Sequence, residues 1–306
     1  MAELILHNYD FSNYAEKARI ALGYKALTWR SVVIPPIAPK PDLTPLTGGY
    51  RRTPVLQIGA DVYCDTRLIL RELDRRHPDP PLFPPELEGV ANAITYWVEN
   101  QFFRPVALHV SGVNADLMPE GLFVDRSRMR GLPDPDLATV RRAAARNAPL
   151  VRAQLPLIEN MLADGRRWVC GDRFTSADIA VYHTLWFFGA RSERVVPLLA
   201  PYAALRAWME RVAAFGHGQP SPMTAAEALR AAADAAPAPA GRSAPDPDDP
   251  PVGARVRIRA DDYARDPVDG TLDFIDDREI AIRREDPVVG EIVVHFPRLG
   301  YDLRAA

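Results

Sequence analysis

The first 34 residues have the pattern of a strand, a helix and a second strand, and this order restricts the fold more than any other feature. Leu4 to Leu6 is a short apolar run, which is typical of a buried strand. Helix formers fill residues 13–24, with Gly23 as the predicted stop, and the β-branched segment LTWRSVVI follows at residues 27–34. Two strands joined through a helix lie parallel with a right-handed crossover. An α/β unit is therefore predicted.

A second group of strands follows a proline-rich loop. Residues 35–45 hold five prolines in eleven positions, which excludes a regular helix and predicts an exposed loop. The segments TPVLQI and DVYCD then flank a turn at Gly59 and Ala60, as expected for an antiparallel hairpin. A helix is predicted from Thr66 to His77. The order βαβ–ββα is thioredoxin-like.

The pattern changes after residue 86, where strand signals give way to long helical stretches. Pro149 and Pro156 are expected to kink or divide one of these helices. Beyond a second proline-rich stretch, the last 55 residues alternate apolar and polar positions, which predicts four or five short strands. We predict four segments: a thioredoxin-like domain (1–80), an all-helical bundle domain (86–225), an Ala/Pro-rich linker (226–251) and a small β-barrel-like module (252–306).

Composition excludes several classes of function. A net charge of −3 gives no basic footprint for nucleic acid, and no run of about 18 apolar residues suggests a membrane span. Two distant cysteines, Cys64 and Cys170, form no disulfide framework, so a cytoplasmic location is expected. The first ten residues lack the pattern of a secretory signal. The six histidines show no ligand spacing, so no metal site is predicted.

Four motifs occur in a fixed order: YDFSNYAEKARIAL, RTPVL, YCDTRLILREL and WVCGDRFTSADIAVY. Together they resemble the glutathione transferase superfamily, whose members join a thioredoxin-like domain to a helical domain. The resemblance covers residues 3 to about 215. It implies glutathione as co-substrate, a small electrophile as second substrate and a homodimer. In the last motif, Thr175 and Asp178 resemble the buried capping box of the helical domain and are assigned a structural role.

The resemblance also implies a glutathione site. Thr53 and Pro54 match the residues that pair with the cysteinyl backbone of glutathione, with Pro54 in the cis form. Asp65 and Thr66 match the pair that holds the γ-glutamyl end, at a helix N-terminus suited to a carboxylate. The alternatives are a trans proline that starts an edge strand and an Asp–Thr pair that only caps its helix.

Ser12 occupies the position where many members place the catalytic Ser or Cys. A free thiol titrates near pH 8.5, so a hydroxyl donor that favours the thiolate would activate glutathione. Ser12 could instead be the N-cap of the first helix, and Tyr9 or Tyr14 could donate in its place. The chain has no Cys-x-x-Cys motif, and Cys64 is expected to be a core residue, so dithiol exchange is disfavoured.

These residues predict a glutathione transferase-like enzyme that stabilises the thiolate of glutathione for attack on a small electrophile. The alternative is a non-catalytic binding or assembly protein with the same fold. Arg51 and Arg52 could reach a glutathione carboxylate or could be a solvated basic pair. Four aromatic residues are candidates for the electrophile pocket, although their helical spacing is more typical of core positions: Trp97, Phe102, Phe103 and Tyr182.

Overall fold

The computed structural model describes residues 3–306. Its N-terminal part contains the following elements: β1 (Ile5–Asn8), α1 (Asn13–Tyr24), β2 (Thr28–Val33), α2 (Thr44–Thr47), β3 (Val55–Ile58), β4 (Asp61–Cys64) and α3 (Thr66–Arg76). Strands β1 and β2 are parallel, whereas β3 pairs antiparallel with both β1 and β4. The predicted thioredoxin-like arrangement is confirmed. The proline-rich loop ends in the single turn α2, which the sequence did not indicate.

The second part is helical, as predicted. It contains α4 (Glu88–Trp97), a π-helical turn (Val98–Phe102), α5 (Phe103–Val113), a 3₁₀ turn (Ala115–Leu117), α6 (Leu122–Arg128), α7 (Leu137–Leu162), α8 (Ser176–Trp186), a further 3₁₀ turn (Val196–Leu199) and α9 (Ala203–Ala213). Its core includes Val151, Leu155 and Ile158 of α7 and joins the apolar residues of α1 and α3. The two parts therefore share one hydrophobic core.

The helix in which Pro149 and Pro156 were expected to cause a kink or a division is α7, and it is not divided. Pro149 and Pro156 both lie inside this continuous helix of 26 residues. A proline leaves the carbonyl four residues earlier without its intrahelical partner. Those residues, Ala145 and Arg152, are exposed, as are both prolines. Water can hydrogen-bond to the freed carbonyls, while the opposite, buried face of α7 holds the helix against its neighbours.

The chain then returns to the thioredoxin-like sheet. Strand β5 (Gln219–Pro222) pairs parallel with β2, and α10 (Ala225–Ala233) follows. Thr224 and Glu227 form a capping box at the start of α10. The first residues of the predicted linker are thus helical rather than extended, because this capping box starts a helix whose Ala228 and Ala232 are fully buried.

The C-terminal module has the five strands β6 (Arg255–Ala260), β7 (Val268–Ile275), β8 (Glu279–Asp286), β9 (Gly290–Pro297) and β10 (Tyr301–Ala305). The expectation of a small barrel is corrected, since the strands do not close on one another. Strand β9 instead pairs parallel with β4, at Asp61–Tyr63, and the two sheets become one sheet of ten strands. An open edge at β4 provides the unpaired backbone groups that β9 satisfies.

A second hydrophobic core lies under this joined sheet. It combines Val55 and Val62 of the thioredoxin-like part with Ile282 and Val294 of the module and with Ala228 of α10. A module of about 55 residues is close to the lower size limit for independent folding. The shared core explains how it is held in place. No helix within residues 3–306 is both long and apolar enough to cross a membrane.

Candidate functional site

A cavity of about 640 Å³ lies between the thioredoxin-like part, the helical part and the C-terminal module. The structure brings all four predicted glutathione-binding residues to its wall: Thr53, Pro54, Asp65 and Thr66. They come from the loop before β3 and from the start of α3. These two points adjoin because β3 and β4 form one hairpin.

Asp65 caps α3 and has an unusual backbone. Its φ angle of 73° is in the left-handed region, which is costly for a residue other than glycine and often marks a functional site. One carboxylate oxygen, Oδ1, accepts the backbone N–H of Arg67 at 2.9 Å. The other, Oδ2, accepts the hydroxyl of Tyr301 at 3.2 Å. Thr66 is buried at the first helical position, where free N–H groups and the helix dipole attract anions.

The peptide bond between Thr53 and Pro54 is cis, as the resemblance implies. The Thr53 hydroxyl accepts a hydrogen bond from Nζ of Lys40 at 2.8 Å. Lys40 is buried, and burial together with nearby Arg126 lowers the pKa of its ammonium group to about 7. This hydrogen bond from Lys40, in the proline-rich segment, therefore helps to hold the loop before β3 in place.

Ser12 and Tyr14 are placed differently at the start of α1. Ser12 is only 3% exposed, and its hydroxyl accepts the backbone N–H of Ala15 at 3.2 Å, which makes it the N-cap. Tyr14 lines the cavity, whereas Ser12 does not. Tyr9 is also absent from the lining, and its hydroxyl is 3.3 Å from Nη2 of Arg126. The structure thus brings Tyr14, rather than Ser12, to the cavity with the other predicted residues.

The environment of Tyr14 keeps its hydroxyl protonated. The ring packs against Phe103 and His183, with centroids 4.9 and 5.0 Å away. Burial, and then the nearby carboxylate of Glu99, raises the pKa of the phenol well above its usual value. None of the side-chain hydrogen bonds described for residues 3–306 involves this hydroxyl, and Tyr14 lines the cavity. It can donate to a ligand there.

A charged cluster on the cavity wall was missed by the sequence analysis. Lys17, whose side chain is 1% exposed, forms an ion pair with Glu99, and Arg67 Nη2 lies 3.3 Å from the second oxygen of Glu99. Burial by itself would raise the pKa of Glu99, but Lys17 and Arg67 more than offset this effect and lower it. Glu99 lies in the π-helical turn, a local feature that is frequent at functional sites. The only hint of this cluster in the sequence was the position of Glu99, a carboxylate within an aromatic-rich helical segment.

The four aromatic candidates for an electrophile pocket do not line the cavity. Phe102 and Tyr182 are core residues, at 0% and 5% exposure, and the core interpretation applies to them. The wall contributed by the helical part holds Thr95 and Tyr96 instead. Of the basic pair, Arg51 binds Asp125, away from the cavity.

The C-terminal module supplies the remaining wall, which the sequence analysis did not foresee. Its lining residues include Tyr263, Arg278, Leu299, Gly300 and Tyr301. Arg52 lines the cavity as well and binds both the carboxylate of Asp262 and the carbonyl of Tyr263. The signals in the sequence were weak, because only Tyr301 of these five residues is on a strand and the other four lie in the connections between strands.

Two structural predictions can be checked next to the site. Cys64 is fully buried and unpaired, in agreement with a core role. Thr175 and Asp178 form the expected capping box, and Oδ1 of Asp178 also accepts N–H groups from Val169 and Trp208 at 2.8 and 2.9 Å. Across residues 3–306, no group of three or more His, Cys, Asp or Glu side chains is arranged to hold a metal ion.

Comparison with known proteins agrees with this geometry. Residues 6–81 match the family model of the glutathione S-transferase N-terminal domain, and residues 141–211 match that of the C-terminal domain. A curated relative, the FtsZ-localized protein A of Caulobacter vibrioides, is 27% identical over 183 residues. This match covers 58% of the present chain and 74% of that protein.

Solved structures extend the comparison to the whole chain. A GST-like protein from Pseudomonas syringae is 36% identical, covers 100% of both chains and superposes with a TM-score of 0.82. A glutathione S-transferase from Methylobacterium radiotolerans, in complex with glutathione sulfonate, is 24% identical. It covers 72% of this chain and 98% of its own, with a TM-score of 0.52, and so shares the fold. The chain belongs to the glutathione S-transferase superfamily and carries additional C-terminal strands.

Proposed function

We propose that the protein is a glutathione transferase-like enzyme that binds glutathione in the cavity and stabilises its thiolate for attack on a small electrophile, to which the whole glutathionyl group becomes joined. The observation that carries this proposal is the meeting of Thr53, Pro54, Asp65 and Thr66 on one cavity wall. The hairpin of β3 and β4 brings the loop before β3 next to the start of α3, so both motifs face the same cavity.

Each part of glutathione has a chemically suitable partner among the residues that line the cavity. Its γ-glutamyl carboxylate would lie at the N-terminus of α3, beside Thr66, where backbone N–H groups face an anion. Its ammonium group would pair with the carboxylate of Asp65. Its cysteinyl backbone would pair with the backbone of Thr53, next to the cis proline. The tripeptide is then held at two points and its sulfur is directed along α1.

The thiol is proposed to meet a hydroxyl at the start of α1. Geometry favours Tyr14 over Ser12, because Tyr14 lines the cavity with an unpaired hydroxyl, whereas Ser12 is committed to the N-cap. Lowering the thiol pKa by one unit requires about 1.4 kcal/mol of preferential stabilisation of the thiolate, which one hydrogen bond can supply.

The reaction balances without a further cofactor. The thiol loses its proton to solvent, and the thiolate attacks the electrophilic carbon. A carbon–sulfur bond forms while the bond to a leaving group such as chloride breaks, and the leaving group departs with the electron pair. The electrophile would lie beside Thr95 and Tyr96, which the helical part contributes to the cavity lining.

The second candidate is a non-catalytic protein that uses this fold for binding or assembly. The observation that favours it is the similarity to a relative named for its localization with FtsZ. In this case glutathione would bind without turnover, or a partner would replace it. A homodimer in the cytoplasm is proposed for either function. Sedimentation of the full chain tests the dimer.

Calorimetric titration of glutathione tests the proposal. The wild-type chain is expected to bind saturably, and Asp65→Ala is expected to bind at least about tenfold more weakly, because a buried charge pair is lost. Asp136→Ala is the matched control, since Asp136 also caps a helix, α7, but lies outside the cavity lining. Turnover of a chlorinated aromatic test electrophile then separates the enzyme from a binding protein. No binding to the wild type refutes both the site and the enzyme.

A further inference from the structure

We infer that the C-terminal β module forms one wall of the ligand-binding cavity and takes part in binding, and that Tyr301 is a positioning residue for Asp65. The inference rests on the proposed binding of glutathione and extends it to residues outside both transferase domains. The family models end at residue 211, whereas the module begins after residue 250.

The module is fixed against the site rather than tethered near it. Strand β9 continues the sheet of the thioredoxin-like part by pairing with β4, the strand that leads directly into Asp65. His295 of β9 adds a polar bridge, with Nε2 3.0 Å from Asp61 of β4 and Nδ1 2.5 Å from Glu279 of β8. A wall built on a shared sheet can keep its side chains within the narrow tolerance that ligand recognition requires.

The two segments that carry the predicted glutathione residues, the loop before Pro54 and the start of α3, both have partners in the module. Asp65 accepts the hydroxyl of Tyr301 at 3.2 Å. Arg67, in the first turn of α3, donates to the carbonyl of Leu299 at 3.1 Å. In the loop before Pro54, Arg52 binds Asp262 and lies 4.1 Å from the ring centroid of Tyr263. The contacts are therefore concentrated at the predicted glutathione residues.

Tyr301 fixes the orientation of the Asp65 carboxylate. Burial raises the pKa of the Tyr301 phenol well above its usual value, so its hydroxyl remains a donor. A carboxylate offers about four acceptor positions, and the N–H of Arg67 and the hydroxyl of Tyr301 occupy one on each oxygen. The remaining positions are held in place for a ligand ammonium group. The chemical class selected is a γ-glutamyl thiol with a free α-amino group.

Hydrogen exchange of the full wild-type chain tests the wall. Saturating glutathione is expected to slow exchange at the amide of Thr53 and at residues 65–67, and also at 261–263 and 298–303. The turn at 285–291, in the same module but outside the cavity lining, should not change. Protection limited to residues before 215 overturns the inference.

Calorimetry of Tyr301→Phe tests the positioning role. We expect glutathione to bind about fivefold more weakly, the size of one ordinary hydrogen bond, because the carboxylate of Asp65 is no longer held in its orientation. An analogue without the γ-glutamyl amino group should bind wild type and variant equally, whereas a structural defect would weaken both ligands. Tyr202→Phe, away from the cavity, is the control and should match wild type.

The outcomes separate the two levels of the proposal. Suppose that the wild type binds glutathione, and that the ratio of its affinities for glutathione and for the analogue is the same in Tyr301→Phe. The positioning role of Tyr301 is then wrong, while the proposed function stands. If wild type binds no glutathione, the proposed function is wrong, and the inference is overturned with it.

Discussion

The hydroxyl of Tyr301 lies 3.2 Å from the carboxylate of Asp65, although the two residues are separated by 236 positions in the sequence. The contact joins the last strand of the chain to the residue predicted to hold the ammonium group of glutathione. The proposed binding of glutathione at Asp65 would therefore be coupled to docking of the module, and thermodynamic linkage would make this coupling reciprocal. A ligand that favours the docked module is itself bound more tightly when the module is docked.

The first prediction concerns the hydroxyl that meets the thiol. Tyr14→Phe is expected to lower kcat/KM by about 10- to 100-fold and to raise the apparent pKa of bound glutathione, because it removes one donor to the thiolate. The pH–rate profile and the thiolate absorbance near 240 nm measure both effects. Tyr24→Phe, which alters a phenol packed against Phe174 in the core, is the matched control.

Ser12→Ala should behave differently. Loss of the N-cap is expected to lower the free energy of unfolding by about 1 kcal/mol while kcat/KM remains close to that of the wild type. Urea denaturation and steady-state kinetics measure the two quantities. A large loss of kcat/KM in Ser12→Ala with unchanged stability would indicate that Ser12, as the sequence predicted, contacts the thiol instead of Tyr14.

The second prediction concerns the buried ion pair beside the cavity. Glu99→Gln removes the negative charge that faces Lys17 and should destabilise the fold by about 3 kcal/mol, since a buried ammonium group then lacks its counter-charge. The double variant Lys17→Met, Glu99→Gln should recover part of this loss. Equal stability of wild type and Glu99→Gln in urea would show that the pair has no such role.

The third prediction concerns Asp178 in the helical domain. Asp178→Ala leaves the buried N–H groups of Val169 and Trp208 without an acceptor and should cost about 3 kcal/mol of unfolding free energy. Thr175→Ala removes only a cap and should cost about 1 kcal/mol. Thermal and urea unfolding compare the two variants. Losses of similar size would contradict the proposed difference.

The fourth prediction concerns pH and the bridge at His295. Burial alone would lower the pKa of this imidazole, but Asp61 from β4 and Glu279 from β8 raise it to about 9, with the ring stacked on Tyr63. Because the folded-state pKa exceeds the unfolded value of 6.5, the stabilisation is complete below pH 6.5 and is lost as the pH rises through 9.

Its size is on the order of 3 kcal/mol, at about 1.4 kcal/mol per pKa unit. Melting temperatures between pH 6 and 10 should therefore fall more steeply for the wild type than for His295→Gln. His217→Gln is the control, because His217 is half-exposed and lies outside the module. Parallel curves for wild type and His295→Gln would contradict the proposed bridge.

Local signals predicted much of the fold. Helix α1 has the predicted bounds, residues 13–24, because its cap and its helix formers are encoded within the same short segment. Gly23, however, lies inside α1 and does not stop it. A Cβ at Gly23 would lie 2.0 Å from the carbonyl oxygen of Gly216, so glycine is needed there for close packing of distant segments. Such a contact cannot be inferred from local sequence.

In the candidate site, too, the features encoded locally were predicted and those that depend on distant contacts were not. Thr53, Pro54, Asp65 and Thr66 were identified from motifs and do line one cavity. The pairing of β9 with β4, and with it the place of Tyr301, was not predictable, because alternation defines a strand but not its neighbour. Lys17 lies within the first motif, in the predicted helix, yet its burial against Glu99 depends on the packing of α1 against the helical part.

The most direct test of the central claim is a crystal structure of the full chain with glutathione. We expect the γ-glutamyl end at Asp65 and Thr66, the cysteinyl backbone at Thr53 and the sulfur within about 3.5 Å of the Tyr14 hydroxyl. We also expect a docked module with Tyr301 still bound to Asp65. Glutathione bound elsewhere, or a cavity without glutathione at saturating concentration, would contradict this claim.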